Sequence, residues 1–460
     1  MNAPLSICRL VADAPARVST RIPAPDAARW RVLKFGGTSV ATPERLAVLR
    51  EQVVAAARTH RVAVVVSALA GVTDALIALV ARTVAGEDPT RPLAALRARH
   101  LDLLGAVAPH DAQAETTIRA DLRGLEQRLA HLAAQRAADE FARAAVLAVG
   151  EALSATIVHA LLCEALPGVE RVAPTDLLRA SGFALDAEPD PAATAAATRA
   201  RLARSRAGAW VVGGFQAARA DGGLVLLGRG GSDTSATLLG EALDADRVEI
   251  WTDVDGVFSA DPRLVPEARL LPRLGYAAAA SLARHGAKVL HARSIAPVER
   301  ARIPLHVRNT ARPHAAGTVI DGAAENDVQA IAAPAPDAGV ATVALVGAGD
   351  GTRHAQRHPL ASALAAHGVV ALDVAPGVDA QALVVRVPAV HRETAVRVLH
   401  AAAAGARRVD VALAGARGQV GSALRRLLAR EARGIAARRG IDLRLRAAFD
   451  RRGIASAAEG

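Results

Sequence analysis

The sequence predicts an α/β protein: a three-layer α/β/α sandwich around a largely parallel sheet, followed by a small α+β module and one β-α-β unit. Three observations carry this expectation. Apolar, β-branched runs alternate with helical patterns through the first two thirds of the 460 residues, and such alternation builds a parallel sheet covered by helices on both faces. Glycine-bearing turns follow the runs ending at Phe35, Val66 and Leu227, at the C-terminal strand ends where such sheets bind ligands. Beyond about residue 339 the order changes to β-α-β-β-α, and a last strand and helix are joined by another glycine-bearing turn.

Residues 1–29, rich in Pro, Ala and Arg, read as a loose arm. Trp30–Phe35 reads as a strand, with Gly36-Gly37-Thr38-Ser39 at its end. Residues 43–58 read as a helix capped by Thr42, with Pro43 at the first position, where its missing N–H costs nothing. The continuous apolar run from Val62 to Val66 suits a strand buried on both faces and stops at Ser67-Ala68-Leu69-Ala70-Gly71. From about 91 to 165 the pattern is helical, with Leu125, Leu129 and Leu132 at helix spacing and Pro109 and Gly150 as punctuation. Strands resume at 210–212, 225–227 and 247–251, and this domain, 30–320, closes near Ile320. The next unit, 321–406, opens with an Ala/Pro-rich connector to about 339. It continues with a strand at 340–346, a helix at 359–367, strands at 369–374 and 382–387, and a helix at 391–404. In the last unit, 407–460, a strand at 409–413 leads through Gly415-Ala416-Arg417-Gly418-Gln419-Val420-Gly421 into a helix to about 438, then a strand at 443–449.

Composition narrows the class. With 52% apolar residues the chain is not a disordered one. No apolar run approaches the ~18–20 residues of a membrane-spanning helix. Arg9, Asp13, Arg17 and Arg21 interrupt the first thirty residues, which lack a signal-peptide core. A cytoplasmic protein without a membrane partner is expected. Cys8 and Cys163 are too few for a disulfide framework or a zinc site, and no metal-ligand set is assigned. A formal charge of +11 raises the question of nucleic acid. Ten aromatic residues in all leave no base-stacking platform, and the arginines are spread along the whole chain, so no nucleic-acid partner is expected.

Among 56 basic residues, Lys34 and Lys288 alone are lysine. A chain otherwise turned over to Arg keeps Lys where a compact ammonium on a thin stem is required. Chance survival is the plainer account, but both lie in glycine-containing motifs. In Lys34-Phe35-Gly36-Gly37-Thr38-Ser39-Val40, paired glycines let backbone N–H groups approach phosphate oxygens, and Lys34 can reach a phosphoryl group in transfer. In Gly228-Arg229-Gly230-Gly231-Ser232-Asp233 a guanidinium suited to a carboxylate is joined to a second nest of backbone donors. Ser232 or Asp233 also suits a helix N-cap, a role compatible with the first.

Together the strings resemble the aspartate kinases. KFGGTSV at 34–40, SALAGVTD at 67–74, VGEALSA at 149–155, GRGGSD at 228–233, WTDVDGVFSADPR at 251–263, GAKVLH at 286–291 and IPLHVRNT at 303–310 stand in that family's order and spacing. The resemblance implies an amino-acid-kinase-type fold for 30–320, and roles residue by residue. Lys34 would contact the phosphoryl group and Asp233 would hold that lysine. Arg229 would take the substrate α-carboxylate and Glu151 its α-ammonium, with Ser67, Thr73 and Ser232 beside them in the L-aspartate pocket. Gly36, Gly37, Gly230 and Gly231 would cradle phosphate, and Thr252, Asp253, Phe258, Arg263 and Lys288 would surround ATP. Mg²⁺ would enter bound through the nucleotide phosphates.

The chain departs from the family pattern at Asp74 (usually Asn), Phe258 (commonly Tyr), Ala292 (usually Pro) and Ala278 (often Glu). A second reading is therefore an amino-acid-binding regulatory protein with an impaired kinase fold. Residues 340–405 resemble one ACT-type module, for which an amino-acid effector (threonine or lysine) or a role in dimer packing is expected, and the family implies a homo-oligomer, dimer or tetramer. The terminal stretch resembles the opening of homoserine dehydrogenase, a Rossmann-like unit truncated after its first β-α-β. No dehydrogenase activity is expected from it, because a dinucleotide site needs a second half.

Overall fold

Trp30–Phe35 is the central strand, paired in parallel with Arg61–Val66 on one side and Arg247–Thr252 on the other. The computed structural model describes residues 29–287, 289–323, 330–347, 359–379, 381–403, 407–439, 441–450 and 453–457. The full sheet has eight strands in the order Arg273–Gly275, Thr318–Asp321, Leu305–Asn309, Arg247–Thr252, Trp30–Phe35, Arg61–Val66, Ala209–Gly213, Val169–Val172. Every pairing is parallel but that of Leu305–Asn309 with Thr318–Asp321. Val62 to Val66 are fully buried, as a strand covered on both faces requires. Helices Pro43–Ala57 and Val149–Ala165 lie in one covering layer, and Gly231–Ala242 lies against the central strand from the other. Gly240 allows that close approach, since a Cβ there would stand 2.5 Å from Val248 Cγ2. Thr42 caps the first helix as expected, accepting from Arg45 N.

Several expectations are corrected. Leu224–Leu226 lies outside the large sheet, in a two-stranded ladder with Gln216–Ala218. Gly150 does not break a helix: the break is at Ala148, and Gly150 sits inside Val149–Ala165, where a Cβ would stand 2.8 Å from Ala68 Cβ. The short strands Val169–Val172, Arg273–Gly275, Leu305–Asn309 and Thr318–Asp321 were not expected; three to five residues carry too little periodicity to register. Taken together across Ala148, the two helices of Glu140–Ala165 are, by length and composition, apolar enough to cross a membrane, contrary to the sequence reading. Their apolar window is 83% buried within the fold, which accounts for its character as core.

The second unit is a four-stranded antiparallel sheet in the order Ala330–Ala332, Val340–Val346, Ala382–Pro388, Asp373–Pro376. A helix at 359–365 and Arg392–Ala403 accompany it. The connector thus contributes an edge strand, and the strand expected at 369–374 begins at Asp373; Val369 is instead a buried side chain ahead of it. Side chains alternate across this sheet. Ala344 and Val346 join the kinase core through helix Tyr276–Arg284, whereas Val343 and Leu345 face a separate core that includes Ala260, Leu264 and Val265 of the kinase unit. In the last unit Arg407–Ala414 pairs in parallel with Ile441–Asp450 across helix Gln419–Arg439, and Gly453–Ala457 adds an antiparallel strand. Residues 1–28 of the expected arm lie outside the described residues.

Phe35 is fully buried and stacks on Trp251 with centroids 5.8 Å apart. Phe35→Ala is expected to cost roughly 3–5 kcal/mol, read as a lower denaturation midpoint for the kinase unit followed by tryptophan fluorescence.

Candidate active site

Three strand ends converge, and their backbone ladder continues into the turns. Gly36 N–H donates to Trp251 O at 2.9 Å, Ser67 N–H to Phe35 O at 3.1 Å, and Gly214 N–H to Val66 O at 2.8 Å. Ser39 Oγ also donates to Trp251 O and accepts from Thr310 Oγ1 at 2.7 Å, tying the first turn to the neighbouring strands. The first and second turns touch: Ala70 N–H donates to Gly37 O, and a Cβ on Gly37 would stand 2.7 Å from Ala68 O. Glycine is therefore required at 37 by packing alone. Gly36 has spent its N–H on the ladder, so it cannot also give that donor to a phosphate, which corrects half of the cradle expected there.

Lys34, 7% exposed, projects from the central strand to Asp233 in the first turn of helix Gly231–Ala242; Nζ and Oδ1 are 2.6 Å apart. Both line an open cavity of about 570 Å³. Gly37, Ser67, Thr73, Glu151, Arg229, Gly230, Gly231 and Ser232 line it with them. Glu151 stands in the first turn of helix Val149–Ala165, 3% exposed, and its Oε2 has no hydrogen-bond partner among the described residues. Burial pushes its carboxyl up to about 8, against the opposing pull of the Ala68 and Glu151 backbone N–H groups and the Lys34 ammonium. A buried carboxyl with one oxygen unsatisfied suits a ligand that brings its own positive charge. Arg229 is exposed, and its side chain has no hydrogen-bond or ion-pair partner among the described residues, so its guanidinium is available to an anion.

Of the expected nucleotide residues, Thr252, Asp253, Phe258 and Arg263 are not among those lining this cavity. Thr252 ends its strand beside the first turn, with Thr252 O accepting from Thr310 N and Thr252 Oγ1 donating to Asp253 Oδ1. Asp253 is exposed, and Phe258 is half-buried in an isolated bridge with Leu270. Arg263 is exposed and engaged by Asp261 through Nε and Nη2, at 3.0 and 2.6 Å. Lys288 lies outside the described residues. No cluster of three or more His, Cys, Asp or Glu suited to a metal occurs among the described residues. The donor set fits a polyphosphate that carries its own cation: an ammonium, a guanidinium and glycine turns.

Sequence reasoning missed Phe215, Leu185 and Arg143, which also line the cavity, and Asp74 joins them there. Phe215 has a positive φ of 73°, held by its N–H to Ser235 Oγ at 2.9 Å and its carbonyl to Leu227 N. The available signal was Gly213-Gly214 at a third strand end.

A profile of the Amino acid kinase family matches residues 29–309. The chain belongs to that family. It is 35% identical over 298 residues to the bifunctional aspartokinase/homoserine dehydrogenase of Haemophilus influenzae, covering 64% of this chain and 36% of that protein. It is likewise 35% identical over 307 residues to the lysine-sensitive aspartokinase 3 of Escherichia coli, covering 64% of this chain and 65% of that one. Thus the match spans about a third of the bifunctional relatives' length. Among solved structures, E. coli aspartokinase III in complex with aspartate and ADP aligns with a TM-score of 0.69 at 26% identity, over 81% of this chain and 99% of that one.

Glu151 also sets a pH signature. With its folded value raised above that of an exposed carboxyl, its contribution to stability is full below about pH 4.5 and is lost as pH rises through about 8. Glu151→Gln is therefore expected to match the native protein in urea midpoint at pH 5 and to exceed it at pH 9.

Proposed function

We propose that this chain is an aspartate kinase, transferring the γ-phosphoryl group of ATP to the β-carboxylate of L-aspartate to give 4-phospho-L-aspartate. The observation that carries this reading is the Lys34–Asp233 pair lining a cavity that also holds the unengaged Arg229 and the unsatisfied Oε2 of Glu151. An ammonium flanked by two carboxylates is the ligand complementary to that charge pattern. Relatives named aspartokinase, and the neighbour solved with aspartate and ADP, support the same substrate pair.

In this reading Glu151 receives the α-ammonium, Arg229 the α-carboxylate, and Ser67 and Thr73 hydrogen-bond the β-carboxylate. That carboxylate, with a pKa near ~4, is already ionised at pH 7 and needs no general base. The barrier is electrostatic: an anion must approach an anion. Lys34, fixed by Asp233, lies where charge builds on the transferring group, and the N–H groups of Gly37 and Gly230 add fixed dipoles. ATP brings the phosphoryl group and, on its phosphates, the Mg²⁺ that neutralises them. One substrate oxygen bonds to the γ-phosphorus as the β,γ-bridging bond breaks, its electron pair leaving on ADP. No phosphoenzyme intervenes, and Thr252, Asp253, Phe258, Arg263 and Lys288 hold the nucleotide.

The module at 330–403 takes an amino-acid effector; the T-state structure of E. coli aspartokinase III, solved with lysine and aspartate, supports lysine as the first ligand to try, with threonine second. The chain works as a dimer or tetramer. No reaction is assigned to the β-α-β unit at 407–450. Asp74, an additional carboxylate on the cavity wall, favours the alternative of a regulatory protein with an impaired site.

Hydroxylamine traps acyl phosphates, so native protein with L-aspartate, ATP and Mg²⁺ is expected to form aspartyl hydroxamate, and Lys34→Ala to lose about 10²–10³ of the rate. A folded native chain giving no hydroxamate sinks the reading in favour of the regulatory protein. Arg229→Ala is expected to raise KM for aspartate about 10–100-fold, the worth of a charge-assisted hydrogen bond, with KM for ATP unchanged.

A further inference from the structure

Arg229 sits at the tip of a turn whose two flanking glycines are both left-handed, Gly228 at φ 67° and Gly230 at φ 69°. Gly231 N–H closes the turn on Gly228 O at 3.0 Å, and beyond that bond the glycines leave its placement to what presses on each of them. On one side is Asp186, in the ladder Ala180–Phe183 with Asp186–Pro189: a Cβ on Gly228 would overlap Asp186 Oδ1. On the other is His291, whose Cβ would stand 2.5 Å from a Cβ on Gly230. Arg293 joins the two sides. Its Nη1 donates to Asp186 Oδ1 at 2.5 Å and its Nη2 to Glu188 Oε1 at 2.7 Å, while its backbone N–H donates to His291 Nδ1. Ser294 Oγ closes the segment by donating to His291 O at 2.6 Å. His291 meets the turn through Cβ and Cγ, so the contact is steric.

We propose that Asp186, Glu188 and Arg293 form a clamp across the Gly228–Gly230 turn that positions Arg229. Carboxylate recognition then depends on three residues outside the cavity lining. The inference rests on the aspartate-kinase reading and adds positioning residues to it. The two carboxylates are largely exposed, at 60% and 66%, against 28% for Arg293, so each pair taken alone is weak and screened by salt. The clamp's strength lies in one guanidinium forking to two carboxylates on a hairpin that also supplies Leu185 to the cavity. Loosening it lets the two glycines relax and moves the guanidinium at their tip.

The test is steady-state hydroxamate kinetics on the full chain, with circular dichroism confirming that each variant is folded. Arg293→Ala is expected to raise KM for L-aspartate about tenfold, equivalent to roughly 1.4 kcal/mol, with kcat and KM for ATP within about twofold. Asp186→Ala should do the same, and Asp186→Ala/Arg293→Ala should add little to either single change. Arg293→Lys, a point charge without the fork, should recover part of the loss. Raising salt should raise KM in both through the Arg229–substrate pair, but by a larger factor in the native protein, which has the clamp to lose as well. Unchanged KM for aspartate in Arg293→Ala, with native protein active, overturns the clamp and leaves the kinase reading standing. Equal losses in KM for both substrates also overturn it, as general damage. If the native chain makes no hydroxamate, calorimetric binding of L-aspartate to native and Arg293→Ala proteins decides the clamp separately: weaker binding in the variant supports it, and equal or absent binding overturns it.

Discussion

The ion pair between Lys34 and Asp233 constrains the site more than any other contact. An ammonium only 7% exposed at the end of a central strand needs a counter-charge at short range. Asp233 supplies it from the first turn of helix Gly231–Ala242, where the helix dipole also favours a carboxylate. The pair therefore fixes strand and helix relative to each other, with two glycine-bearing turns on either side. Removing one partner leaves a buried charge uncompensated, at a cost of about 3–5 kcal/mol. Glu151 is the complement to this arrangement. Burial raises its pKa to about 8 despite the Lys34 ammonium, which favours the neutral carboxyl at pH 7.

Close approach by small residues makes the convergence possible. Ala68 is the meeting point: its carbonyl lies against Gly37 and its Cβ against Gly150, so the first turn, the second turn and the start of helix Val149–Ala165 stack without intervening side chains. Gly231 does the same against Phe215, and Gly214 against Ser232. The site's geometry is thus held by contacts in which a methyl group would collide, and cores respond steeply to such additions.

The smaller module is integrated with the kinase unit. One face of its sheet carries Ala330, Ala332 and Ala344, short enough to let helix Tyr276–Arg284 lie close, and the other face takes Ala260, Leu264 and Val265 into its own core. Ser259 and His400 Nε2 meet at 2.9 Å across that boundary, and Arg397 donates to Leu264 O. The segment bearing Phe258 and Arg263 is consequently built into both units, so its conformation reflects the packing of each.

The order of the large elements was legible in the chain, as were the residues to which the proposed chemistry attaches. Apolar runs announced strands at 30–35, 62–66 and 210–212, each within a residue of the observed ends, Thr42-Pro43 announced the first helix, and glycine turns followed Lys34, Val66 and Leu227, because each of these signals is local in the chain. What only tertiary structure decided was everything that depends on distant residues meeting. That includes the short strands at 169–172, 273–275 and 318–321, the transfer of Leu224–Leu226 out of the main sheet, and the edge strand Ala330–Ala332 within an apparent linker. It also includes the left-handed Phe215 on the cavity wall and the bridge from Arg293 to Asp186 and Glu188, more than a hundred residues away in the chain. Strands of three or four residues form because neighbours hold them, and a guanidinium chooses its carboxylates only after folding has brought them within reach.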